Sequence, residues 1–318
     1  MKKKILVTRK LLQQNESRLQ QLFEVKFNKE DKIYSKEELL ELSDGCDGIL
    51  STIVDQFDVD TINKLSSSIK IIANYAVGFG NINLDAARKK NIAVTNTPEV
   101  LSEATADISI LLLLGASRRA YEGRNWVEQQ DWKWQATAFL GRQMSGSKLG
   151  ILGMGRIGRE VAKRARGFNM EIHYYNRSRL KPDLELGSIY HKDIKSLFSI
   201  SDFLSINCPA NKDTVHLINK DTLKYFPKHA VIANAARGDI IKDDDMIEAL
   251  KNKKIFALGL DVYNGEPKIY PEYLKLKNVF ILPHLGSATE KTRVAMGDRA
   301  IDNLKVFFEK GKPKDLLN

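Results

Sequence analysis

Short apolar runs alternate with longer amphipathic stretches almost from end to end of this chain, the rhythm of parallel sheets flanked by helices. Ile5-Leu6-Val7 opens the series, and a helical pattern through Leu11, Leu12, Leu19 and Leu22 follows it. Residues 24–27 read as the next strand. Ser35-Lys36-Glu37-Glu38 then spells a capping box, in which serine and glutamate satisfy each other's end of a helix's first turn. Residues 48–51, 69–73 and 92–94 read as further strands, closing an N-terminal α/β unit of about 95 residues.

A longer helical pattern begins near Ser102 and carries Ala104, Ile108, Leu111, Leu112 and Leu114. It leads into a polar stretch bounded by Trp126 and Trp134. A second alternating series starts at Lys148-Leu149-Gly150-Ile151-Leu152, with strands predicted over 172–175, 203–208, 231–235, 257–262 and 279–282. An amphipathic helix over 288–310 closes the chain, and Ser287 to Glu290 predicts a second capping box at its start. That helix follows the last strand of the second unit, whereas the first unit lacks a closing helix. The chain is therefore expected to return, so that residues 1–98 plus 287–318 form one discontinuous domain and 99–286 the other. The expected fold class is α/β: two Rossmann-like or flavodoxin-like parallel-sheet domains with a cleft between them.

Composition removes several classes of function. The longest apolar stretch, residues 110–116, falls far short of the roughly 20 residues that a bilayer crossing needs. Lys2-Lys3-Lys4 resembles a leader's basic start, but only Ile5-Leu6-Val7 follows, so a first strand is the better reading. Cys46 and Cys208 give neither a disulfide framework nor metal-ligand spacing, and a cytoplasmic protein without a metal is expected. The formal charge of +10 comes from 50 basic residues interleaved with 40 acidic ones, with no basic stripe for nucleic acid. Neither nucleic acid nor a membrane is an expected partner.

The chemistry lies at strand ends. Gly153-Met154-Gly155-Arg156-Ile157-Gly158 sits between a strand and an amphipathic helix, the setting in which such glycines cradle a pyrophosphate. Gly153 permits the tight turn, Gly155 lets backbone amides approach a phosphate, and Gly158 allows close helix–strand packing. The next strand ends in Asn176-Arg177-Ser178-Arg179, where NAD enzymes usually carry an acid for the ribose 2′-hydroxyl. Arg177 suits a 2′-phosphate instead, so NADPH is expected over NADH. His284 follows Val279-Phe280-Ile281-Leu282-Pro283, just past a buried strand, where open α/β sheets bind ligands. A histidinium there can protonate a ketone oxygen as hydride adds to the carbon. Glu266, in the turn Gly265-Glu266-Pro267, can orient that imidazole and favour its protonated form. Arg237 comes after the run 231–236 and before Gly238; its planar fork fits a carboxylate, with an ion pair to Asp239 as the structural alternative. In the first unit, Val77-Gly78-Phe79-Gly80 can turn backbone N–H groups toward an anion.

With these strings in place, the chain resembles the D-isomer-specific 2-hydroxyacid dehydrogenases along essentially its whole length, most nearly their glyoxylate/hydroxypyruvate reductase branch. Asn96-Thr97-Pro98-Glu99-Val100-Leu101, Glu103-Ala104-Thr105-Ala106-Asp107, Cys208-Pro209, Leu260-Asp261-Val262 and Pro283-His284-Leu285-Gly286-Ser287-Ala288-Thr289 carry the likeness beside the glycine turn and Asn234 to Gly238. The resemblance implies a substrate domain from both chain ends and an inserted dinucleotide-binding domain. It implies Arg237 binding substrate, Glu266 tuning His284, and His284 as proton donor. Backbone at Val77 and Gly78 would hold the carboxylate, and the loop with Ile53 would help size the pocket. Cofactor contacts would come from Thr105, Gly155, Arg156, Ile157, Asn176, Arg177, Ser178, Cys208, Pro209, Thr214, Ala236, Asp261, Gly286 and Ser287. It further implies a homodimer, with Trp134 reaching the partner's substrate pocket or packing in the interface. Ending at Asn318, the chain is expected to lack the regulatory extension of long phosphoglycerate dehydrogenases. Gly80-Asn81-Ile82-Asn83 and Tyr263-Asn264-Gly265 depart from the family's usual strings without removing a catalytic group.

The expected activity is NADPH-dependent reduction of glyoxylate or hydroxypyruvate to the D-2-hydroxyacid. A 2-ketogluconate reductase or another 2-ketoacid reductase is the rival within the class. A nucleotide-sensing module like the C-terminal-binding corepressors is the rival outside it, disfavoured by the NADP-type loop and the absence of interaction tails.

Overall fold

The computed structural model describes residues 2–130 and 132–318, in two compact units: Met1–Leu101 with Thr289–Asn318, and Ser102–Ala288. The first unit holds β1 (Lys4–Val7), β2 (Glu24–Phe27), β3 (Gly48–Ser51), β4 (Ile71–Asn74) and β5 (Ala93–Thr95). All pair in parallel in the order β2-β1-β3-β4-β5, the flavodoxin-like winding. β1, β3 and β4 are buried along nearly their whole length, as strands covered on both faces must be, while edge strand β2 alternates between exposed and half-buried.

Ser35 and Glu38 do form a capping box: the Ser35 hydroxyl accepts from Glu38 N (3.2 Å) and the Glu38 carboxylate from Ser35 N (2.9 Å). The box predicted at Ser287 and Glu290 does not form. The last helix runs Glu290–Lys310, and its cap is Thr289, whose hydroxyl accepts from Thr292 N at 3.1 Å. Threonine, though a somewhat weaker cap than serine, stands directly before the first helical residue. This helix packs on Gln13–Leu22 and on β3 and β4. The tail then runs antiparallel along β5: Leu316 bridges Thr95, Leu317 N donates to Val94 O (2.9 Å), and the Asn318 side chain takes Val94 N and gives to Ile92 O.

The second unit contains β6 (Lys148–Leu152), β7 (Glu171–Tyr175), β8 (Ile189–His191), β9 (Phe203–Ile206), β10 (Val231–Asn234), β11 (Ala257–Leu260) and β12 (Val279–Ile281). Its parallel sheet is ordered β12-β11-β10-β9-β6-β7-β8, so chain direction across the sheet reverses between β6 and β9. A dinucleotide binds at that crevice in open α/β sheets. β8 was not predicted: it is a three-residue edge strand, too short for a period to show. Four predicted strands stop early. Asn207, Cys208, Ala235, Asp261, Val262 and Leu282, all predicted as strand, lie beyond the ladder in the loops that follow it. Helix Ser102–Ser117 lies on β10, β11 and β12, and a Cβ at Gly259 would stand 2.8 Å from Leu112, so the helix rests on glycine. Among the described residues, no helix is long and apolar enough to cross a membrane.

Candidate active site

The glycine turn begins where β6 ends. Gly153 takes φ +96° and donates to Tyr175 O at 3.0 Å; a Cβ there would lie 2.6 Å from Cys208 N. A Cβ at Gly158 would stand 2.4 Å from Gly153 O. These two positions are closed to side chains by the protein itself. Gly155 is different: no atom lies within 4 Å of its Cβ position, and it caps helix Arg156–Arg166. Open space over a helix N-terminus, with its partial positive charge, fits a pyrophosphate. Arg156 is exposed and Ile157 half-buried in the helix's first turn.

Neighbouring loops hold this turn in shape. Asn176, at the end of β7, accepts from Met154 N at 2.7 Å. Thr214 donates to Pro209 O (2.6 Å) and accepts from Asn211 N (2.9 Å), folding the loop after Cys208. Burial pushes the Cys208 thiol up to about 12, so it is an inert packing group beside Gly153. Arg179 is committed elsewhere: it grips the buried Glu185 through two bonds of 2.8 and 3.0 Å, and Tyr174 donates to the same carboxylate. Arg177 and Ser178 remain exposed, and the Arg177 guanidinium has no ion pair or hydrogen bond among the described residues.

The strand ends of β10, β11 and β12 carry the titratable groups. Asn234 is fully buried; it accepts from Ala236 N (3.0 Å) and donates to Arg237 O (2.8 Å), curling the chain so that Arg237 leaves the sheet at a set angle. Arg237 makes no ion pair with Asp239; its Nη1 donates to Ala236 O at 2.6 Å, leaving the rest of the fork unused by the described residues. Burial lowers its pKa, against the opposing charges of Glu266 and Asp239. Glu266 accepts from His284 Nδ1 (2.6 Å) on one oxygen and from Tyr263 N (2.9 Å) on the other. Burial works against its charge, but the bonds and charge of His284, with Tyr263 N–H and Arg237, outweigh it and hold the carboxyl below its usual range.

His284 itself has φ +56°, a left-handed conformation that costs a non-glycine residue about 1–3 kcal/mol and persists only where its surroundings impose it. They do. Asp261, 1% exposed, accepts from Leu285 N (2.6 Å) and Gly286 N (2.8 Å), and Thr105 donates to Gly286 O (3.1 Å). Burial raises the Asp261 pKa against those two amides. Asp261 and Thr105 are thus seen holding the turn of His284 to Ser287 in place. A carboxylate partner does not by itself distinguish His284: His229 meets Asp202, and His173 meets Glu171, each at 2.5 Å. Among these carboxylate-paired histidines, what sets His284 apart is its place just beyond a strand's carboxyl end and its left-handed backbone.

In the first unit, Asn74 donates to Gly78 O (2.9 Å) and Asn96 to Val77 O (2.8 Å). With both carbonyls tied back, the N–H groups of Val77 and Gly78 make no hydrogen bond among the described residues. Sequence reasoning missed these two asparagines; the available signal was an amide at the polar end of an apolar strand. Asp55, 3% exposed, accepts from Thr52 N (2.7 Å) and from Thr8 Oγ1 (2.6 Å), fixing the loop that carries Ile53. Trp134, beyond helix Ala120–Glu128, is 83% exposed.

Comparison with known proteins agrees with this chemistry. The profile of the D-isomer specific 2-hydroxyacid dehydrogenase NAD binding domain matches residues 110–286. The chain is 38% identical to the glyoxylate reductase of Thermococcus litoralis, over 100% of this chain and 97% of that one. A crystal structure of a glyoxylate reductase from Paecilomyes thermophila matches with a TM-score of 0.91 at 34% identity, covering 99% of this chain and 98% of the other. The NADPH-dependent glyoxylate/hydroxypyruvate reductase from Sinorhizobium meliloti, in complex with NADP and malonate, gives 0.88 at 29% identity, over 100% and 97%. The chain therefore belongs to the D-isomer-specific 2-hydroxyacid dehydrogenase family and is an oxidoreductase that uses a nicotinamide nucleotide.

Proposed function

We propose that the protein reduces a small 2-ketoacid, glyoxylate or hydroxypyruvate, to the D-2-hydroxyacid, with NADPH preferred. The observation that carries this reading is the 2.6 Å contact between His284 and Glu266, coupled electrostatically to Arg237. When bound, the nicotinamide supplies the hydride. Glu266 occupies Nδ1, so Nε2 of His284 is the nitrogen left to donate a proton to the ketone oxygen. Arg237 offers its free N–H groups to the substrate carboxylate and draws charge from the adjacent carbonyl. Val77, Gly78 and Ile53 are the proposed substrate contacts of the first unit. Gly153, Gly155, Arg156, Ile157 and Gly158 would hold the pyrophosphate, with Cys208, Pro209, Thr214, Ala236, Gly286 and Ser287 around the cofactor.

NADPH preference rests on Arg177. It is an uncommitted cation at the end of β7, where Asn176 replaces an acid, and the nearby Glu185 charge is already neutralised by Arg179. A homodimer with Trp134 at its interface is part of the same reading, supported by the exposure of Trp134 and of Tyr121, Val127, Trp132 and Leu140, near it in sequence. Two free cysteines accord with a reducing compartment. The test is oxidation of NADPH and NADH followed by absorbance against a panel of 2-ketoacids. Turnover of glyoxylate or hydroxypyruvate with NADPH is expected; binding of NADPH without turnover of any ketoacid would instead identify a nucleotide sensor.

A further inference from the structure

Of the two asparagines in Gly80-Asn81-Ile82-Asn83, Asn83 has a local role: it caps helix Leu84–Lys89, accepting from Ala86 N at 2.9 Å. Asn81 is 8% exposed and reaches to another loop. Its Nδ2 donates to Thr52 O (3.1 Å) and to Asp55 O (2.9 Å), the carbonyls on either side of Ile53-Val54. Both hydrogens of that nitrogen are thereby used. The segment it grips is already folded on itself. Asp55 N donates to Thr52 O at 3.2 Å, and the buried Asp55 carboxylate takes Thr52 N and the hydroxyls of Thr52 and Thr8. Residues 52–55 therefore form one stiff turn, and Asn81 is its side-chain attachment to the loop after β4.

That second loop carries Val77 and Gly78, and it too is tied from within. Asn74, fully buried at the end of β4, donates to Gly78 O (2.9 Å), and the Asn81 carboxamide oxygen stands 3.5 Å from the same nitrogen. Ile82 N donates to Phe79 O at 3.0 Å, closing the turn in which Asn81 stands. Phe57 N also donates to Asn81 O (2.8 Å), but this backbone link falls beyond the 52–55 turn that carries Ile53. Buried amides with their partners in place hold such loops at a fixed separation. We propose that Asn81 is a positioning residue that sets substrate size: it fixes the gap between the Ile53 turn and the N–H groups of Val77 and Gly78. With the carboxylate held at Val77 and Gly78, that gap limits the substituent on the keto carbon, a hydrogen in glyoxylate and a hydroxymethyl group in hydroxypyruvate.

The proposal rests on the reading of Ile53, Val77 and Gly78 as substrate contacts of a 2-ketoacid reductase, and part of its test needs no turnover. Asn81→Asp keeps the shape but sets a carboxylate against two carbonyls that need donors. Amide hydrogen exchange over residues 52–57, followed by mass spectrometry, should quicken by about tenfold or more, the worth of one or two hydrogen bonds, while β4 exchanges as in the wild type. The ratio of kcat/KM on hydroxypyruvate to that on glyoxylate should rise about tenfold, the low end of what one carbon is worth in a fitted pocket, with NADPH affinity unchanged. In an Ile53→Ala background, where that side is already open, Asn81→Asp should change the ratio no further. A loss shared equally by both ketoacids is what a merely structural residue would give, and it would overturn the proposal, as would unchanged exchange over 52–57. If Asn81→Asp does not fold, Asn81→Gln, with both donors on an arm one methylene longer, decides by the same ratio and the same exchange. Should the wild type turn over no ketoacid, the proposed function fails, and exchange alone decides whether Asn81 holds the two loops together.

Discussion

His284, on which the proposed proton transfer rests, is held by its neighbours in a backbone conformation it would not choose. His284→Gln keeps a hydrogen-bonding side chain but removes the transferable proton, so kcat should drop by about 10²- to 10⁴-fold with NADPH affinity intact. Full activity in that variant would remove His284 from the reaction. Arg237→Ala should raise the ketoacid KM by about ten- to a hundredfold, the worth of hydrogen bonds to a charged group, with little effect on nucleotide binding. Glu266 is ionised well into acid because its folded pKa is lowered. Its contribution is therefore present above the unfolded carboxylate value and lost only as pH falls through the lower folded one. In Glu266→Gln the imidazole keeps a hydrogen-bond acceptor but loses its carboxylate partner, so kcat should fall with NADPH affinity unchanged. Arg237, Glu266 and His284 were legible as a set because each directly follows an apolar run or lies in a glycine–proline turn. Asn74, Asn96 and Asn234 were not: their amides act on backbone carbonyls and amides, which a residue list does not display.

At the scale of elements, alternation located eleven of the twelve strands among the described residues, and β8 escaped because a short edge strand carries no readable period. Strand ends were overrun for a related reason. Residues such as Asp261 and Val262 are buried whether or not they belong to the ladder, so hydrophobicity cannot mark the exit. Gly238 joins two of these exits, and Gly238→Ala must push the Tyr263–Asn264 backbone aside, so it should lower both melting temperature and kcat. The β7–β8 pair offers a pH test. His173 Nδ1 and His191 Nε2 lie 2.9 Å apart, and burial together with the His173 charge lowers the His191 pKa against Asp193. The unfolded chain thus binds this proton more readily than the folded one. Stability should fall as pH drops below about 6.5, and His191→Gln should flatten that fall in denaturant titrations at successive pH values.

For the whole molecule, a ligand that binds only the folded chain raises its melting temperature with concentration. NADPH should do so more than NADH at equal concentration, and Arg177→Ala should erase the difference; equal shifts in the wild type would refute the assignment of Arg177. Light scattering in solution should give the mass of a dimer, and replacing Trp134 with alanine tests whether that residue supports it. The first unit, however, carries a hazard of its own. β5 ends its sheet, and without a partner it would present a row of sideways-facing amides and carbonyls. Residues 316–318 cover that margin like a selvedge on cloth. Trimming them should leave catalysis largely alone while making the protein cloud on gentle warming, as bare strand margins on separate copies begin to stitch together.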